Sequence, residues 1–352
     1  MRLIKYLSFA LISVLIVSII FSSCKKNDSP QNNYNADKTS LTALIDSITT
    51  LNSAATEGNK PGQYATGSKA SLASALDLAT QVKTGNTFTQ QQVNNSIANL
   101  KRALAQFSSM RIQEVSVANL IAQWKFNGNT IDSSGNGHDG VAMSGIIGPG
   151  SAPVDGGVLP QLIADRFNRP GMAYNFDNGA YIEVPYNQSL NPKDFSISLW
   201  INPSATNSDN YILSLNRWNG YKFQLQSSDF TFLTFHDTNN GYHDVDDNPG
   251  AVPHNTWTYV AVTYTNGTMK FYVNNKLVKT ASISGTPATL SSPVPLAIGQ
   301  QLPKAVYNSA ANGDYDYYGP AYFHGAMDDI RFYNKALSDA EVLSIYTIES
   351  SL

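Results

Sequence analysis

The stretch Phe195-Ser196-Ile197-Ser198-Leu199-Trp200-Ile201 decides the fold class of this chain. Large apolar side chains alternate with two serines and a tryptophan, so one face of an extended segment receives Phe, Ile, Leu and Ile. A period of two residues is typical of a β-strand with one buried face. The segment therefore predicts a strand within an antiparallel sheet.

Two more alternating segments, residues 256–265 and 268–274, flank the dipeptide Asn266-Gly267. Asn-Gly between such segments predicts a β-hairpin, because both residues tolerate the positive φ angles that its tight turn requires. Further candidate strands are residues 120–126, 181–185, 211–215, 221–225, 230–235 and 325–333. Many short strands separated by turn signals predict a mainly β fold, an antiparallel two-sheet jelly-roll sandwich over residues 115–350.

Residues 37–110 have a helical period instead. Apolar side chains recur at helical spacing in three segments, and Thr89 with Gln92 provides a capping-box sequence before the third. Glycine and proline in residues 58–62 separate the first segment from the second, and Gly85 separates the second from the third. The sequence predicts a small N-terminal three-helix bundle.

The first 23 residues have the pattern of a cleaved export signal. A positively charged start precedes the uncharged apolar run 6–21, which is shorter than the roughly 20 residues of a membrane-spanning helix. An uncleaved anchor helix is the alternative. Residues 24–36 are polar and aperiodic, which predicts a flexible tether.

Composition limits the partners. The formal net charge is −3 and charged residues make up only 14% of the chain. Because nucleic-acid-binding domains need a basic surface, the charge argues against a nucleic-acid partner. Cys24 is the single cysteine, so no disulfide can form within the chain.

Phe21-Ser22-Ser23-Cys24 resembles a lipobox, the site at which bacterial lipoproteins are acylated and cleaved. The resemblance implies a mature protein that begins at Cys24 and is anchored in a lipid membrane, at about 0.8 kcal/mol per buried methylene. Residues 25–28 are similar to the short charged stretches that mark surface export in some Bacteroidetes. These similarities imply a lipid-anchored outer-membrane protein exposed at the cell surface, although a periplasmic orientation stays open.

Several motifs of the large domain resemble those of bacterial laminin-G-like jelly rolls, which have concanavalin A-like lectin and glucanase folds. They occur in family order and comprise residues 124–128, 132–140, 176–185, 195–203, 257–261 and 325–341. The resemblance supports the jelly-roll prediction. Residues 57–69 with the alanine-rich second helix resemble FIVAR-like helical modules of bacterial surface proteins, which usually act as spacers.

A glycine-rich turn offers oxygen ligands for a metal. Asp132 and Asn136 lie with Ser134 and Asp139 on this turn, and Ca²⁺ prefers six to eight oxygen ligands. In related jelly rolls a calcium often joins the first and last strands, so the resemblance implies that Asp328 or Asp329 completes the shell. We therefore predict a structural calcium held by Asp132, Asn136 and Asp328. The alternative is that Asp132 and Asn136 cap a turn through local backbone amides.

Two long loops, residues 235–244 and 307–318, combine aromatic rings with amides and carboxylates. Lectin-like sandwiches bind sugars with such residues, and long loops of compact domains are commonly functional. The predicted contacts are Trp218, Tyr221, His236, Asp237, Tyr242, His243, Tyr315 and Tyr317. The resulting hypothesis is that the domain binds extracellular carbohydrate without cleaving it.

Two other functions stay open. One is a protein-interaction or structural accessory module of a glycan-uptake or adhesion system, and the other is a glycoside hydrolase or polysaccharide lyase. The Glu-x-Asp-x-(x)-Glu run of laminarinase-type enzymes is absent from the sequence. We interpret Asp244, Asp246 and Asp247 as part of a solvated turn or a second calcium loop, and a lyase-like or metal arrangement with His236 and His243 is the alternative. Residues 144–171, rich in glycine and proline, either cover a sheet edge or belong to the binding rim.

Overall fold

The computed structural model describes residues 34–115, 117–147, 154–205, 209–247, 252–290, 293–306 and 321–351. The predicted signal segment, Cys24 and most of the tether lie outside these residues and stay predictions. Among the helices that the described residues form, none has the length and apolar character needed to cross a bilayer.

Three helices come first: α1 (Thr39–Ala54), α2 (Ser68–Thr84) and α3 (Gln90–Ser109). Helix α3 begins at the predicted capping box, where the Thr89 side chain accepts a hydrogen bond from the Gln92 backbone and the Gln92 side chain accepts one from the Thr89 backbone. The apolar faces of the three helices form a hydrophobic core of their own, around Leu41, Leu72 and Phe107. The predicted helical bundle is confirmed.

Seventeen strands and a further helix follow in the described part of the chain. They are β1 (Leu120–Trp124), β2 (Val141–Ser144), β3 (Ile146–Ile147), β4 (Val154–Asp155), β5 (Gln161–Ile163), β6 (Ala173–Phe176), β7 (Ala180–Val184), β8 (Phe195–Pro203), β9 (Asp209–Leu215), β10 (Tyr221–Gln226), β11 (Thr231–His236), β12 (Tyr242–Asp246), β13 (Thr258–Thr265), β14 (Thr268–Val273), β15 (Lys276–Ala281), β16 (Leu296–Ile298), β17 (Gly325–Tyr333) and α4 (Asp339–Glu349).

These strands form two large antiparallel sheets and a small ribbon of β3 and β4. The eight-stranded sheet has the order β15-β14-β13-β8-β17-β6-β5, with β1 also paired to β17, and the seven-stranded sheet has the order β12-β11-β10-β9-β16-β7-β2. Apolar side chains of both sheets meet in one core between them. The predicted two-sheet jelly roll is confirmed.

The deciding segment, β8, follows its predicted alternation. Phe195, Ile197, Leu199 and Ile201 face the core between the sheets, whereas Trp200 faces outward under α4. Helix α4 begins at a capping box of Ser338 and Glu341 and covers this outer face with Val342 and Ile345. The outer side of the eight-stranded sheet is therefore closed by a second apolar layer.

The predicted hairpin joins β13 to β14. Thr265 pairs with Thr268, and Gly267 has a φ of +100°, in the region where glycine is unstrained. Elsewhere the sequence prediction missed eight short strands, β2, β3, β4, β5, β6, β12, β15 and β16.

The interpretation of the acidic cluster as a turn is wrong for Asp244 and Asp246. Both residues lie in β12, which pairs with β11 from His236↔Tyr242 to Phe232↔Asp246. This strand is the edge of its sheet. Aspartate is tolerated there because its side chain faces solvent instead of a second sheet.

Candidate functional site

Polar and aromatic side chains share the outward face of strands β9 to β12. Leu213, Phe223, Leu233 and Val245 face the core, so their neighbours along each strand face away from it. Strand register arranges these neighbours in two rows. The first row is Ser214, Lys222, Thr234 and Asp244, and the second is Tyr211, Gln224, Phe232 and Asp246. We call these eight residues the outward face.

Lys222 is at the centre of the aromatic part of this face. Its ammonium lies 5.4 Å from the Tyr211 ring centre, 5.2 Å from that of Phe232 and 5.8 Å from that of Trp218. A cation held over aromatic rings is attracted by their π electrons. The rings and the ammonium therefore fix one another in position.

Trp218 is on a short 3₁₀ turn, Arg217–Asn219, between β9 and β10. The Arg217 guanidinium is 4.4 Å from the Trp218 ring centre, and its Nη1 donates to Gln301 Oε1 at 3.4 Å. The His236 amide donates to the Gly220 carbonyl at 2.8 Å. The turn with Trp218 thus lies against the end of β11, beside the outward face.

His236 and Tyr242 form the accessible end of this surface. Their ring centres are 4.9 Å apart, and Tyr242 is 54% exposed. His236 Nε2 lies 3.1 Å from Asn240 Oδ1, and Thr234 Oγ1 donates to Asp244 Oδ1 at 2.7 Å. The structure therefore brings the predicted residues Trp218, His236 and Tyr242 to one end of one sheet.

Asp237 and His243 support the loop between β11 and β12. Asp237 Oδ1 accepts hydrogen bonds from the amides of Asn239 (2.8 Å) and Gly241 (2.7 Å), and its Oδ2 lies 2.9 Å from His243 Nε2. The bond to His243, followed by the bond from the Gly241 amide, holds the pKa of Asp237 below its usual value. The His243 ring stacks on Phe235 at 4.7 Å. Both side chains thus hold this turn, and their contact with a sugar stays a prediction.

Tyr221 does not reach the surface, so its prediction as a sugar contact is wrong. It is 2% exposed, its ring stacks on Phe195 in the core, and its hydroxyl donates to the Leu190 carbonyl at 2.8 Å. The alternation of β10 directs Tyr221 inward and Lys222 outward. Tyr315 and Tyr317 lie outside the described residues and stay predictions.

Sequence reasoning missed most of the outward face, including Lys222, Gln224 and Phe232. The signal was present in the predicted strands 221–225 and 230–235, whose apolar positions define the core side. The residues between these apolar positions are the ones that face outward.

The glycine-rich turn proposed for calcium is held by its own hydrogen bonds. Asp132 Oδ1 accepts from the amides of Gln123 (2.9 Å) and Ser134 (2.8 Å), and Oδ2 accepts from Ser134 Oγ (2.8 Å) and the His138 amide (3.1 Å). Burial favours the neutral acid, yet these bonds lower the pKa of Asp132. Asn136 Nδ2 donates to the carbonyls of Leu120 and Ile121. The arrangement is that of a capped turn.

Asp328 faces an arginine. A register shift in β17, with Asp329 at a φ of +48°, directs two successive carboxylates to the same side of the strand. Arg166 Nη1 lies 2.5 Å from Asp328 Oδ2, and Nη2 lies 2.7 Å from Asp329 Oδ2. The side-chain contacts of Asp132, Asn136 and Asp328 described above are made with protein groups, and the calcium predicted at these residues stays a prediction. Among the described residues no group of three or more His, Cys, Asp or Glu is arranged to hold a metal.

Arg166 joins three parts of the jelly roll. Besides the two aspartates it donates to the Glu349 carbonyl at the end of α4, and its guanidinium stacks over the Trp200 ring at 4.6 Å. The Glu349 carboxylate in turn accepts from Arg331 Nε at 2.6 Å and from Trp200 Nε1 at 3.0 Å. We call Arg166, Asp328, Asp329, Arg331 and Glu349 the Arg166 cluster. It fastens the segment after β5 to β17 and to the end of α4, and β5 itself is the edge strand that pairs with β6.

Comparison with known proteins agrees with this architecture. Residues 176–343 match the family model described as the concanavalin A-like lectin/glucanases superfamily. The large domain is thus similar to the concanavalin A-like jelly rolls that this model describes. No curated protein matches the chain.

Solved structures of similar fold come from several sources. One is domain 4 of AbnA, a GH43 extracellular arabinanase from Geobacillus stearothermophilus, in complex with arabinotriose, with 21% identity, 65% of this chain and 98% of that chain covered, and a TM-score of 0.49. Another is the binding domain of Paraclostridial Mosquitocidal Protein 1, with 17% identity, 65% and 52% covered, and a TM-score of 0.46. The botulinum neurotoxin type G receptor-binding domain has 16% identity, 66% and 52% covered, and a TM-score of 0.42. This chain spans about half the length of the two toxin domains.

Proposed function

We propose that the jelly roll binds extracellular carbohydrate without cleaving it, at the accessible side chains on and beside the outward face, which are Trp218, His236, Tyr242, Asp244 and Asp246. The observation that carries this proposal is the alternation of rings with hydrogen-bonding groups across four adjacent strands. A sugar has apolar faces, on which aromatic rings stack, and a rim of hydroxyls, which carboxylates, amides and ammonium groups bind.

The chemistry of this sheet face supports recognition over simple solvation. Lys222 and Gln224 are 9% and 0% exposed, so they belong to the packed part of this face and not to its accessible rim. Cation–π contacts hold Lys222, and the exposed rim adds Tyr242 and Asp244. The matched family model also spans all four of these strands, and its name refers to lectins and glucanases.

Glycan-array binding tests the proposal. We expect the full mature chain to bind one class of glycan, and Trp218→Ala and Tyr242→Ala each to weaken binding about 5- to 150-fold, which corresponds to the roughly 1–3 kcal/mol that a ring contributes when a nucleic-acid base stacks on an aromatic side chain. Tyr34→Ala is the matched control because it removes an exposed tyrosine from the N-terminal region. Unchanged affinity in both site variants would refute this site, and absence of binding to every glycan would favour a protein-interaction module.

A pair of neighbouring carboxylates is the observation that favours the enzyme alternative. Asp244 and Asp246 are two residues apart on the outward side of β12, which places their Cα atoms about 6.6 Å from each other. Paired carboxylates are the machinery of glycosidases. Incubation of bound polysaccharides with the protein, followed by measurement of new reducing ends and unsaturated uronides, separates binding from cleavage. We expect neither product.

We further propose that the protein is a surface lipoprotein acylated at Cys24, with the helical bundle as a spacer. The support is the sequence pattern of the first 28 residues. Metabolic labelling with a fatty acid tests the anchor: label should enter the wild-type protein and not Cys24→Ala. Digestion of intact cells with an external protease tests the orientation, because a periplasmic protein would be protected.

A further inference from the structure

The charges that solvent reaches at the proposed carbohydrate site include two carboxylates on β12. Val245 faces the core, so Tyr242, Asp244 and Asp246 alternate with it and point to the opposite side of the strand. Asp244 is exposed and Asp246 is half-buried. Asp244 Oδ1 accepts from Thr234 Oγ1 at 2.7 Å, and an ionised carboxylate has about four acceptor positions in all. A ligand that stacks on the Tyr242 ring therefore meets hydrogen-bond acceptors with negative charge next along the strand.

The two long basic side chains of this end of the sheet are packed among other groups. The Lys222 side chain is nearly buried, with its ammonium among three aromatic rings. Arg217 is 0% exposed, with its guanidinium over the Trp218 ring and Nη1 bonded to Gln301. Neither cation is thus presented at the accessible rim beside Asp244.

The histidines of these strands and their loops also have partners. Each ring nitrogen named here lies within 3.1 Å of a side-chain oxygen: His236 Nε2 of Asn240, His243 Nε2 of Asp237 and His254 Nε2 of Asp229. Two of the three partners are carboxylates, so any positive charge on these rings is balanced locally.

The internal stretches of the large domain outside the described residues add no positive charge. Their sequences contain no lysine, arginine or histidine, and the last contains Asp314 and Asp316; the stretches are 116, 148–153, 206–208, 248–251, 291–292 and 307–320. They therefore supply no cation that could neutralise the carboxylates of β12.

We propose that this site selects glycan segments built from uncharged sugars and rejects segments that carry carboxylate or sulfate groups, with Asp244 and Asp246 as the residues that determine this specificity. The inference rests on the proposed carbohydrate function. A neutral sugar offers hydroxyl donors, which ionised carboxylates accept. An anionic sugar instead brings a second acceptor of the same charge, and specificity commonly depends on such a repulsive element. One like-charge contact at about 4 Å in water weakens binding about fivefold, or about 1 kcal/mol.

Matched oligosaccharides test this specificity. Gluco-, manno- and galacto-oligosaccharides are printed on an array, each beside counterparts that carry a carboxylate or a sulfate at C6, and the full mature chain is applied. We expect a neutral member to bind best and its anionic counterparts to bind at least about fivefold more weakly in about 20 mM NaCl. This ratio should decrease in about 0.5 M NaCl, because salt screens charges at an exposed surface.

The double variant Asp244→Asn/Asp246→Asn assigns the effect to these residues. Asparagine keeps an oxygen that can accept from Thr234 and removes the charge, so the ratio of neutral to anionic binding should fall to about twofold or less. Asp77→Asn, which removes an exposed carboxylate from α2, is the matched control and should leave the ratio unchanged.

The results separate this inference from the function on which it rests. Glycan binding in which an anionic member is bound as tightly as its neutral counterpart, or more tightly, overturns the inference and leaves carbohydrate binding standing. A ratio that is insensitive to salt, or unchanged in the double variant, overturns it as well. Absence of binding to every member of the array removes the inference together with the proposed function.

Discussion

Replacement of Arg166 by alanine should destabilise the jelly roll far more than a typical charge removal. The side chains of Arg166, Asp328 and Asp329 are only 4%, 2% and 11% exposed. Without the guanidinium, two adjacent carboxylates stay buried with no cation at 2.5 and 2.7 Å. The Glu349 carbonyl also loses its donors.

Removal of one partner from a buried ion pair costs about 3–5 kcal/mol, because the other charge remains uncompensated. For a domain of this size about 1 kcal/mol corresponds to about 2–4 °C in melting temperature, so the expected decrease is about 6–20 °C. Burial and the neighbouring Asp329 raise the pKa of Asp328, and Arg166 opposes them. A carboxyl whose folded pKa is raised binds more protons when folded, so its destabilising effect grows with pH. The Arg166→Ala deficit should therefore be larger at pH 8 than at pH 5.

Urea unfolding monitored by tryptophan fluorescence measures this prediction, because all four tryptophans (residues 124, 200, 218 and 257) belong to the jelly roll. Arg169→Ala is the matched control: Arg169 is 45% exposed, and its partner Asp165 keeps hydrogen bonds from the amides of Phe167 and Arg169. The control should lose no more than about 1 kcal/mol. A loss below about 1 kcal/mol for Arg166→Ala, or a deficit independent of pH, would refute the reasoning.

Three further outcomes are expected. Asp247→Asn should be more stable than the wild type by up to about 3 kcal/mol at pH 8, since burial raises the pKa of Asp247 to about 6 in the folded protein, against 3.8 normally. This advantage should fade as pH falls from about 6 to 4. Urea unfolding of both proteins across that range tests the prediction, and a stability difference that does not change with pH would contradict it. Gly267→Ala should cost about 1 kcal/mol from backbone strain alone, because its φ is +100° and no atom crowds the new methyl group; a neutral result in urea would mean that the hairpin turn relaxes. Thr89→Ala should destabilise the helical bundle by about 1 kcal/mol, measured by circular dichroism, and should leave the tryptophan-detected unfolding of the jelly roll unchanged. Ser338→Ala, which removes the cap of α4, should instead shift the tryptophan-detected transition.

The sequence was sufficient for the strands whose two faces differ. β8, β13 and β17 carry alternating side chains, and their predicted positions agree with the structure within two residues. β12 was missed because aspartates and histidines on an edge strand imitate a turn. Its partner β11 supplies the missing constraint through register, which no local pattern contains.

The outward face was only partly predictable, for the same reason. The alternation along β10 is sufficient to predict that Lys222 and Gln224 face outward. Their cross-strand neighbours Ser214 and Tyr211 could not be predicted in the same way, because the pairing of β9 with β10 shifts register between them. The Arg166 cluster is even less local, since 162 residues separate Arg166 from Asp328. A contact of this kind follows from the topology of the sheet and not from the spacing of motifs.

Strand β1 has a mechanical consequence. It pairs from Leu120↔Tyr333 to Trp124↔Ile330 with β17, a strand in the interior of the eight-stranded sheet. Only ten residues separate the end of α3 from this strand. Tension that arrives through the helices while a ligand is held by the other sheet would act on β1 and pass into β17 and its partner β8, so several hydrogen bonds would have to yield together before the jelly roll could open.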